Sequence, residues 1–247
     1  MRLYVGSRDY KPLGYLTVDI DSRYNPDMVS DITNMHQVAD ATCDEIVASH
    51  VLEHISWPDS FKAISEFSRI LKVGGILKIA IPDVLVLLDR IKTGTSDFWA
   101  MGLIYGVGGR ENELEVHRYG FTSNMLGEIL RFLGFDNFEW WNSKDPDASN
   151  GWMPLDEDHK TAISLNVACR KVAYPKFKPE HVFQELLKSP MQGLDSAISA
   201  VAIQTGVTEV PYLKDDIKVY QDIHFKLIEA NQRIIYLENE IRDLRGS

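Results

Sequence analysis

Short apolar runs, several of them rich in β-branched residues, recur along roughly the first 170 residues and alternate with stretches of helical periodicity. Five such runs precede position 84, at residues 3–5, 15–18, 28–29, 45–49 and 76–81. Runs of this length fit strands, and strands that alternate with helical patterns are typical of a mostly parallel sheet. The chain is therefore predicted to be an α/β protein.

Two helix starts are marked by capping residues. Ser56 precedes a W-P-D segment, and Thr122 precedes a run whose apolar positions follow helical spacing. Serine and threonine accept the free backbone N–H groups of a first turn, and proline suits that turn. We predict that the helix from Ser56 ends at the Gly74-Gly75 pair and that a further helix covers residues 84–91. An irregular or partly helical insert is expected over residues 94–112.

Two more strands are predicted over residues 138–141 and 163–169, separated by a polar loop rich in Asp, Asn, Ser and Pro. Because no helix stands between them, they are expected to form an antiparallel pair at the edge of the sheet. The first crossover is short, since only eight residues separate Gly6 from Tyr15. A crossover with its own helix needs about ten or more, so a tight loop is predicted there.

The character of the chain changes after Arg170. Residues 173–212 are predicted to form a proline-containing linker with short helices over 180–188 and 194–203. Over residues 213–247, nine of the ten heptad core positions are apolar or aromatic. This pattern predicts a coiled-coil helix through which the chain forms a homo-oligomer or docks a partner. The alternative is a long helix packed back on its own domain.

The charge balance excludes one class of partner. The 247 residues carry a formal net charge of −10, whereas nucleic-acid phosphates are bound by a basic face, so no nucleic-acid partner is expected. No run of 18 apolar residues occurs, and no membrane span is expected. The N-terminus turns polar too quickly for a signal peptide. Cys43 and Cys169 are expected to be buried free thiols, and the protein is expected to be cytoplasmic.

Polar residues follow several predicted strands, at the edge where open α/β sheets bind ligands. Asp19 ends the second strand, where an acid accepts hydrogen bonds from ribose hydroxyls or is simply solvated. Gly6 follows the first strand and permits a ligand to approach the backbone, although a full G-x-G-x-x-G is absent. Asp31 follows the third run, where it would accept from an adenine amino group or cap a turn.

The segment His50-Val51-Leu52-Glu53-His54 directly follows the fourth predicted strand. Written as H-x-x-E-H, it matches an inverted zinc-protease motif, in which both histidines bind the metal from one helical face. That arrangement needs His50 inside a helix, whereas the strand is predicted to run up to Ser49. We therefore predict no metal, and a zinc hydrolase remains an alternative.

Several segments together carry a family resemblance: residues 14–19, 44–54, 66–75 with the pattern E-x-x-R-I-L-K-x-G-G, 77–83, 117–121 and 133–135. They resemble class I S-adenosylmethionine-dependent methyltransferases, in particular a small bacterial branch related to methyltransferase type 11. That branch is often associated with surface-polysaccharide or O-antigen gene sets. The resemblance implies a Rossmann-like sheet, S-adenosylmethionine as the cofactor, and a methyltransferase-like domain at residues 1–172.

The resemblance also implies where the cofactor binds. Its methionine end would lie at Gly6 and Ser7, and its ribose at Asp19 with the adjoining Ile20. Its adenine would lie near Asp31 and Ile32, and its sulfonium near Ser49 and His50.

The reaction implied is O-methylation of a sugar or nucleotide-linked sugar in surface-glycan biosynthesis. A hydroxyl acceptor benefits from a base within hydrogen-bond reach, and histidine is the usual choice near neutral pH. His117, in the insert after the fifth strand, is the first candidate base and His50 the second. The alternative for His117 is an exposed polar loop residue. Arg110 and Arg118 would pair an acidic or phosphorylated acceptor. The rival function is a non-catalytic scaffold that works through the heptads.

Overall fold

The computed structural model describes residues 1–92, 94, 97–106, 113–141, 152–156, 159–175, 177–188 and 193–206. The predicted coiled coil over residues 213–247 and the side chain of Arg110 lie outside these residues. Oligomer formation and the proposed domain boundaries therefore remain predictions from the sequence.

The centre of the fold is a seven-stranded mixed sheet, which confirms the predicted α/β class. Its strands, in spatial order, are β3 (Met28–Val29), β2 (Leu16–Asp19), β1 (Arg2–Val5), β4 (Cys43–Ser49), β5 (Leu71–Pro82), β9 (Ser164–Lys171) and β6 (Phe135–Trp140). Strands β1 to β5 are parallel, and β9 runs antiparallel to both β5 and β6. The predicted antiparallel pair is thus confirmed.

Strand β1 lies between β2 and β4, so the chain leaves β1 in one direction and later continues in the other. Such a reversal opens a crevice at the carboxyl ends of the strands, where ligands of open α/β sheets bind. The connection from β1 to β2 has no helix and consists of turns, as its length predicted.

Helix α1 (Trp57–Ile70) begins as predicted, with the Ser56 side chain accepting the Asp59 backbone N–H. The predicted end at Gly74-Gly75 is wrong. The helix stops at Ile70, and the chain continues at Leu71 in the extended conformation of β5, with both glycines inside that strand.

The early end of α1 is stabilised by a residue about a hundred positions away. The fully buried Lys171 ammonium donates to the carbonyl oxygens of Ser68 at 2.5 Å and Leu71 at 2.9 Å. These are carbonyls that a helix end leaves without an intrahelical partner. Because the cap comes from β9, no local sequence signal marks the end of the helix.

The remaining helices follow the predictions closely: α2 (Val84–Lys92), α3 (Asp97–Tyr105) in the insert, α4 (Ser123–Phe132), α5 (Pro179–Lys188) and α6 (Gly193–Thr205). Thr122 caps α4 by accepting the Met125 backbone N–H. Buried side chains of α5 and α6 belong to the same core as those of α1 and the sheet. The two helices thus pack on the domain rather than apart from it.

The loop predicted between β6 and β9 contains an unexpected two-stranded sheet of β7 (Trp152–Asp156) and β8 (His159–Ala162). Strands of five and four residues in a polar segment do not stand out from a loop in the sequence. Both cysteines are buried free thiols, as predicted. Within the described residues, no helix combines the length and the apolar character needed to cross a membrane.

Candidate active site

The crevice at the carboxyl ends of β1, β2, β4 and β5 widens into a cavity of about 750 Å³, partly covered by the insert that contains α3. This volume suits a cofactor-sized ligand. The residues predicted to bind the cofactor or to act as the base all line this cavity: Gly6, Ser7, Asp19, Ile20, Asp31, Ile32, Ser49, His50 and His117. Arg118, predicted to bind the acceptor, is not among the lining residues.

Asp19 ends β2 with its carboxylate held in a fixed orientation. Oδ2 accepts the backbone N–H of Arg8 at 2.8 Å, and Oδ1 accepts that of Asp21 at 2.9 Å. Asp19 is only 7% exposed. Each carboxylate oxygen has a second lone pair, so the group can still accept from a ligand such as a ribose hydroxyl. Asp19 is therefore not a freely solvated acid, and the protein does not occupy all of its hydrogen-bond acceptor positions.

Gly6 is required by the local structure itself. Its φ is +67°, and a Cβ atom here would lie 2.7 Å from Cγ2 of Val51. Its N–H donates to the Val18 carbonyl at 2.8 Å, which turns the chain away from β1 into the cavity wall. The glycine thus permits both a left-handed turn and close packing against the segment after β4.

Asp31, which follows the third strand, caps a turn, as one of its two predicted roles required. Oδ1 of Asp31 accepts the backbone N–H and the hydroxyl of Thr33, both at 2.8 Å. Asp31 itself is exposed and Ile32 is buried, and both line the cavity. Capping by one oxygen fixes the carboxylate at the rim of the cavity.

Ser49 and His50 form the end of β4. The Ser49 hydroxyl is buried and has no hydrogen-bond partner among the described residues, although the residue lines the cavity. His50 adopts φ +52°, a left-handed conformation that is costly for a residue with a side chain. The turn directs the chain from the strand into the short 3₁₀ turn Leu52–His54.

Both ring nitrogens of His50 are engaged by the protein. Nδ1 lies 3.0 Å from Oε1 of Glu53, and Nε2 lies 3.0 Å from the Ser164 hydroxyl. Ser164 donates its own proton to Oδ1 of Asn166 at 2.7 Å, so the Ser164 oxygen accepts from the imidazole. The inverted zinc-protease arrangement of His50 with His54 is not formed, and His50 is placed to orient Glu53 rather than to take a proton.

Glu53 is the most deeply buried acid in the cavity wall, with a side chain only 2% exposed. Burial alone would raise the pKa of Glu53, but the hydrogen bond from His50 and the charges of His50 and His54 bring the pKa below its usual value. Its backbone carbonyl accepts the N–H groups of Arg118 at 2.7 Å and Tyr119 at 3.2 Å. This pair of bonds attaches the segment after the insert to the end of β4.

That attachment brings His117 into the site. The His117 ring packs edge-on against His54, with 4.7 Å between ring centroids. Nδ1 lies 2.7 Å from the Leu103 carbonyl on α3, which can only accept, so Nδ1 carries the proton. Burial lowers the pKa of His117, which favours the neutral ring with an open lone pair on Nε2. His117 is half-buried rather than an exposed loop residue.

Sequence reasoning missed two features of the site. Glu53 and His54 are not among the site residues predicted from the sequence, but both line the cavity beside His117. Arg8, in the loop after β1, pairs with Glu115 of the insert at 3.2 Å and so links the two sides of the cavity. Neither contact leaves a local signal, because each joins residues more than sixty positions apart. Arg118 is exposed.

Residues 16–79 match the sequence profile of a family described as a methyltransferase domain. The matched segment runs from β2 into β5 and includes Asp19, Ser49 and the Glu53 turn. This match supports an S-adenosylmethionine-dependent methyltransferase, with S-adenosylmethionine as its cofactor. No curated protein matches the chain.

Solved structures similar to this chain include three described as S-adenosylmethionine-dependent methyltransferases. One from Thermotoga maritima, described as a possible histamine N-methyltransferase, is 16% identical over 69% of this chain and 81% of its own, with a TM-score of 0.47. One from Archaeoglobus fulgidus is 14% identical over 69% and 85%, with a TM-score of 0.46. One from Methanosarcina mazei is 17% identical over 69% and 92%, with a TM-score of 0.45.

Proposed function

We propose that this protein transfers the methyl group of S-adenosylmethionine to a hydroxyl of a small acceptor, a sugar or nucleotide-linked sugar used in surface-glycan synthesis. The observation that carries the proposal is a single cavity with two chemically distinct ends. Asp19 and Asp31 offer carboxylates at one end, and Glu53, His54 and His117 line the other. A nucleoside cofactor suits the first end, and a hydroxyl acceptor suits the second.

The residues of the first end fit the cofactor by their donor and acceptor chemistry. Asp19 is buried, rigidly held and able to accept from vicinal hydroxyls. The buried Ser49 hydroxyl needs a polar partner, which the amino-acid part of the cofactor would supply. When bound, the cofactor supplies an electrophilic methyl group on a sulfonium.

At the second end the protein has to orient the acceptor and remove a proton from it. His117 presents the lone pair of Nε2, because its Nδ1 proton is held by the Leu103 carbonyl. His117 Nε2 is therefore the base that removes the proton from the acceptor. Both ring nitrogens of His50 are hydrogen-bonded, and His50 orients Glu53 instead. The choice of a sugar acceptor is carried by the family resemblance, with the wall of α3 and the insert forming the space for it.

Calorimetry with S-adenosylhomocysteine tests the first end. Asp19→Ala should weaken binding at least about tenfold, since charge-assisted hydrogen bonds contribute roughly 1.5–3 kcal/mol each. The matched control is Asp136→Ala, which removes a half-exposed carboxylate on β6, away from the cavity, and should leave binding unchanged. No binding to the wild type at millimolar ligand would overturn the proposal and favour a scaffold.

Transfer itself is tested with isotopically labelled S-adenosylmethionine and a panel of nucleotide sugars, analysed by mass spectrometry. A methylated hydroxyl on one of them is the expected result. If label moves only to an amine or a carbon, the methyltransferase activity stands and the hydroxyl acceptor is wrong.

A further inference from the structure

Three metal-ligand side chains converge at the acceptor end of the cavity. Glu53, His54 and His117 each offer one ligand atom, and these atoms all lie within 4.8 Å of one another. Ligand atoms at the corners of a tetrahedron with metal–ligand bonds of about 2.1 Å are roughly 3.4 Å apart. Small side-chain rotations would therefore close the three atoms around an ion.

Two polar atoms of this cluster lack partners in the part of the chain that the structure describes. Oε2 of Glu53 and Nδ1 of His54 are both buried without a hydrogen bond. A buried carboxylate oxygen without a partner is costly, and native structures rarely leave one. A cation between these atoms would satisfy both of them at once.

The outer contacts of the cluster are those that orient metal ligands. His50 fixes Oε1 of Glu53, and Oε2 is the carboxylate oxygen left available for an ion. The Leu103 carbonyl accepts the hydrogen bond of the His117 Nδ1–H and leaves Nε2 as the ligand atom. Histidine ligands commonly donate their second N–H to a carbonyl in this way.

We propose that Glu53, His54 and His117 bind one divalent transition-metal ion, such as Zn²⁺, Mn²⁺, Fe²⁺ or Co²⁺. Two imidazoles with one carboxylate suit these ions, whereas Mg²⁺ and Ca²⁺ prefer oxygen ligands alone. All three residues face the cavity, so further coordination positions are open to an acceptor. The prediction of no metal is revised accordingly.

The role of the ion rests on the proposed function. An acceptor hydroxyl bound to the metal loses its proton to water more readily, because the cation stabilises the alkoxide. The alkoxide oxygen forms the new C–O bond as the C–S bond of the cofactor breaks, and the bonding pair passes to sulfur. The products are a methyl ether, a neutral thioether and one released proton. His117 then acts as a ligand and not as the direct base.

The test uses the untagged full chain after treatment with a chelator and titration with Co²⁺, followed by visible absorption. We expect ligand-field bands that saturate at one equivalent and are displaced by Zn²⁺. His117→Ala and His54→Ala should each weaken Co²⁺ binding by at least about 100-fold, since even outer-contact changes cost about 10–100-fold. The control His36→Ala removes an exposed histidine away from the cavity and should change nothing.

Circular dichroism checks the fold of each variant, and Glu53→Gln, which keeps the size of the side chain, replaces any alanine variant that does not fold. The inference is wrong if the wild type gives no saturable Co²⁺ spectrum, or if folded ligand variants bind Co²⁺ as tightly as the wild type. Binding of S-adenosylhomocysteine is measured on the same samples. If it persists without metal binding, the metal site fails while the methyltransferase proposal stands, and His117 remains the base.

Discussion

At the residue scale, both the backbone conformation and the packing at position 6 require a glycine. Its φ of +67° disfavours any side chain, and Val51 occupies the space that a Cβ would need. Val51 belongs to the segment between Ser49 and Glu53, so the fit at Gly6 affects both ends of the cavity. The glycine is a requirement of the frame as well as a place where a ligand can approach.

Gly6→Ala should lower the free energy of unfolding by about 1–2 kcal/mol for the left-handed backbone and about 1–3 kcal/mol more for overpacking. Gly94→Ala is the matched control, because Gly94 has φ +72° but nothing within 4 Å of its Cβ position. Urea unfolding of both measures the difference.

Measured against Val51→Ala alone, the double variant Gly6→Ala/Val51→Ala should show only the backbone part of the cost, because the overpacking is relieved. Equal costs for the Gly6 and Gly94 variants would show that Val51 moves aside freely.

The site residues that follow strands were predictable because each strand carries its own local signal. Asp19, Ser49 and His50 stand directly at strand ends, and the edge of the sheet brings them together. The convergence of His117 with Glu53 and His54 was not predictable. It depends on main-chain bonds between segments more than sixty residues apart, and the sequence contains no pattern for such bonds.

At the element scale, one segment of the family resemblance, residues 66–75, has a structural role. Glu66 and Arg69 on α1 form an ion pair at 2.8 Å. Glu66 accepts the Met35 backbone N–H, and Arg69 donates to the carbonyls of Met35 and Val38. The pair holds α1 against the segment after β3, so a recognisable motif here reports the fold rather than the chemistry.

Helix starts were predicted correctly and one helix end was not, for a physical reason. Ser56 and Thr122 lie within three residues of the N–H groups that they accept, so a local pattern reveals them. The end of α1 is satisfied by Lys171 from another strand. The glycine pair that would usually end a helix instead lies within β5.

Lys171→Met should therefore destabilise the protein by about 1–3 kcal/mol, because buried carbonyls lose their donor while the side chain keeps a similar volume. Arg170→Met is the control. Arg170 also donates to a backbone carbonyl, that of Gly74 in β5, but from an exposed position. The control should cost less than about 0.5 kcal/mol. Denaturant unfolding compares them, and similar losses in both would contradict the buried cap.

At the scale of the whole molecule, the parallel character of the sheet followed from the alternation of strands and helices, but the spatial order of the strands did not. Three of the strands have four residues or fewer among the seven of the main sheet, too few to choose neighbours by pattern. The absence of a helix between β1 and β2, by contrast, was predictable from the small number of residues in that connection.

The heptads at residues 213–247 make a separate prediction about assembly. Leu227→Glu combined with Ile234→Glu places charges at core positions and should reduce an oligomer of the full chain to a single chain. Light scattering measures the mass. Gln232→Glu, at an outer heptad position, should leave the mass unchanged, and a wild type that is already a single chain would contradict the prediction.

The attachment of Arg118 and Tyr119 to the Glu53 carbonyl is made entirely by main-chain atoms. Such a joint does not depend on which side chains positions 53, 54 and 117 carry. Glu53 can therefore be replaced, for example by histidine or cysteine, without removing these main-chain hydrogen bonds. The ligand side chains of this cavity can thus be changed by design while the backbone that positions them is kept.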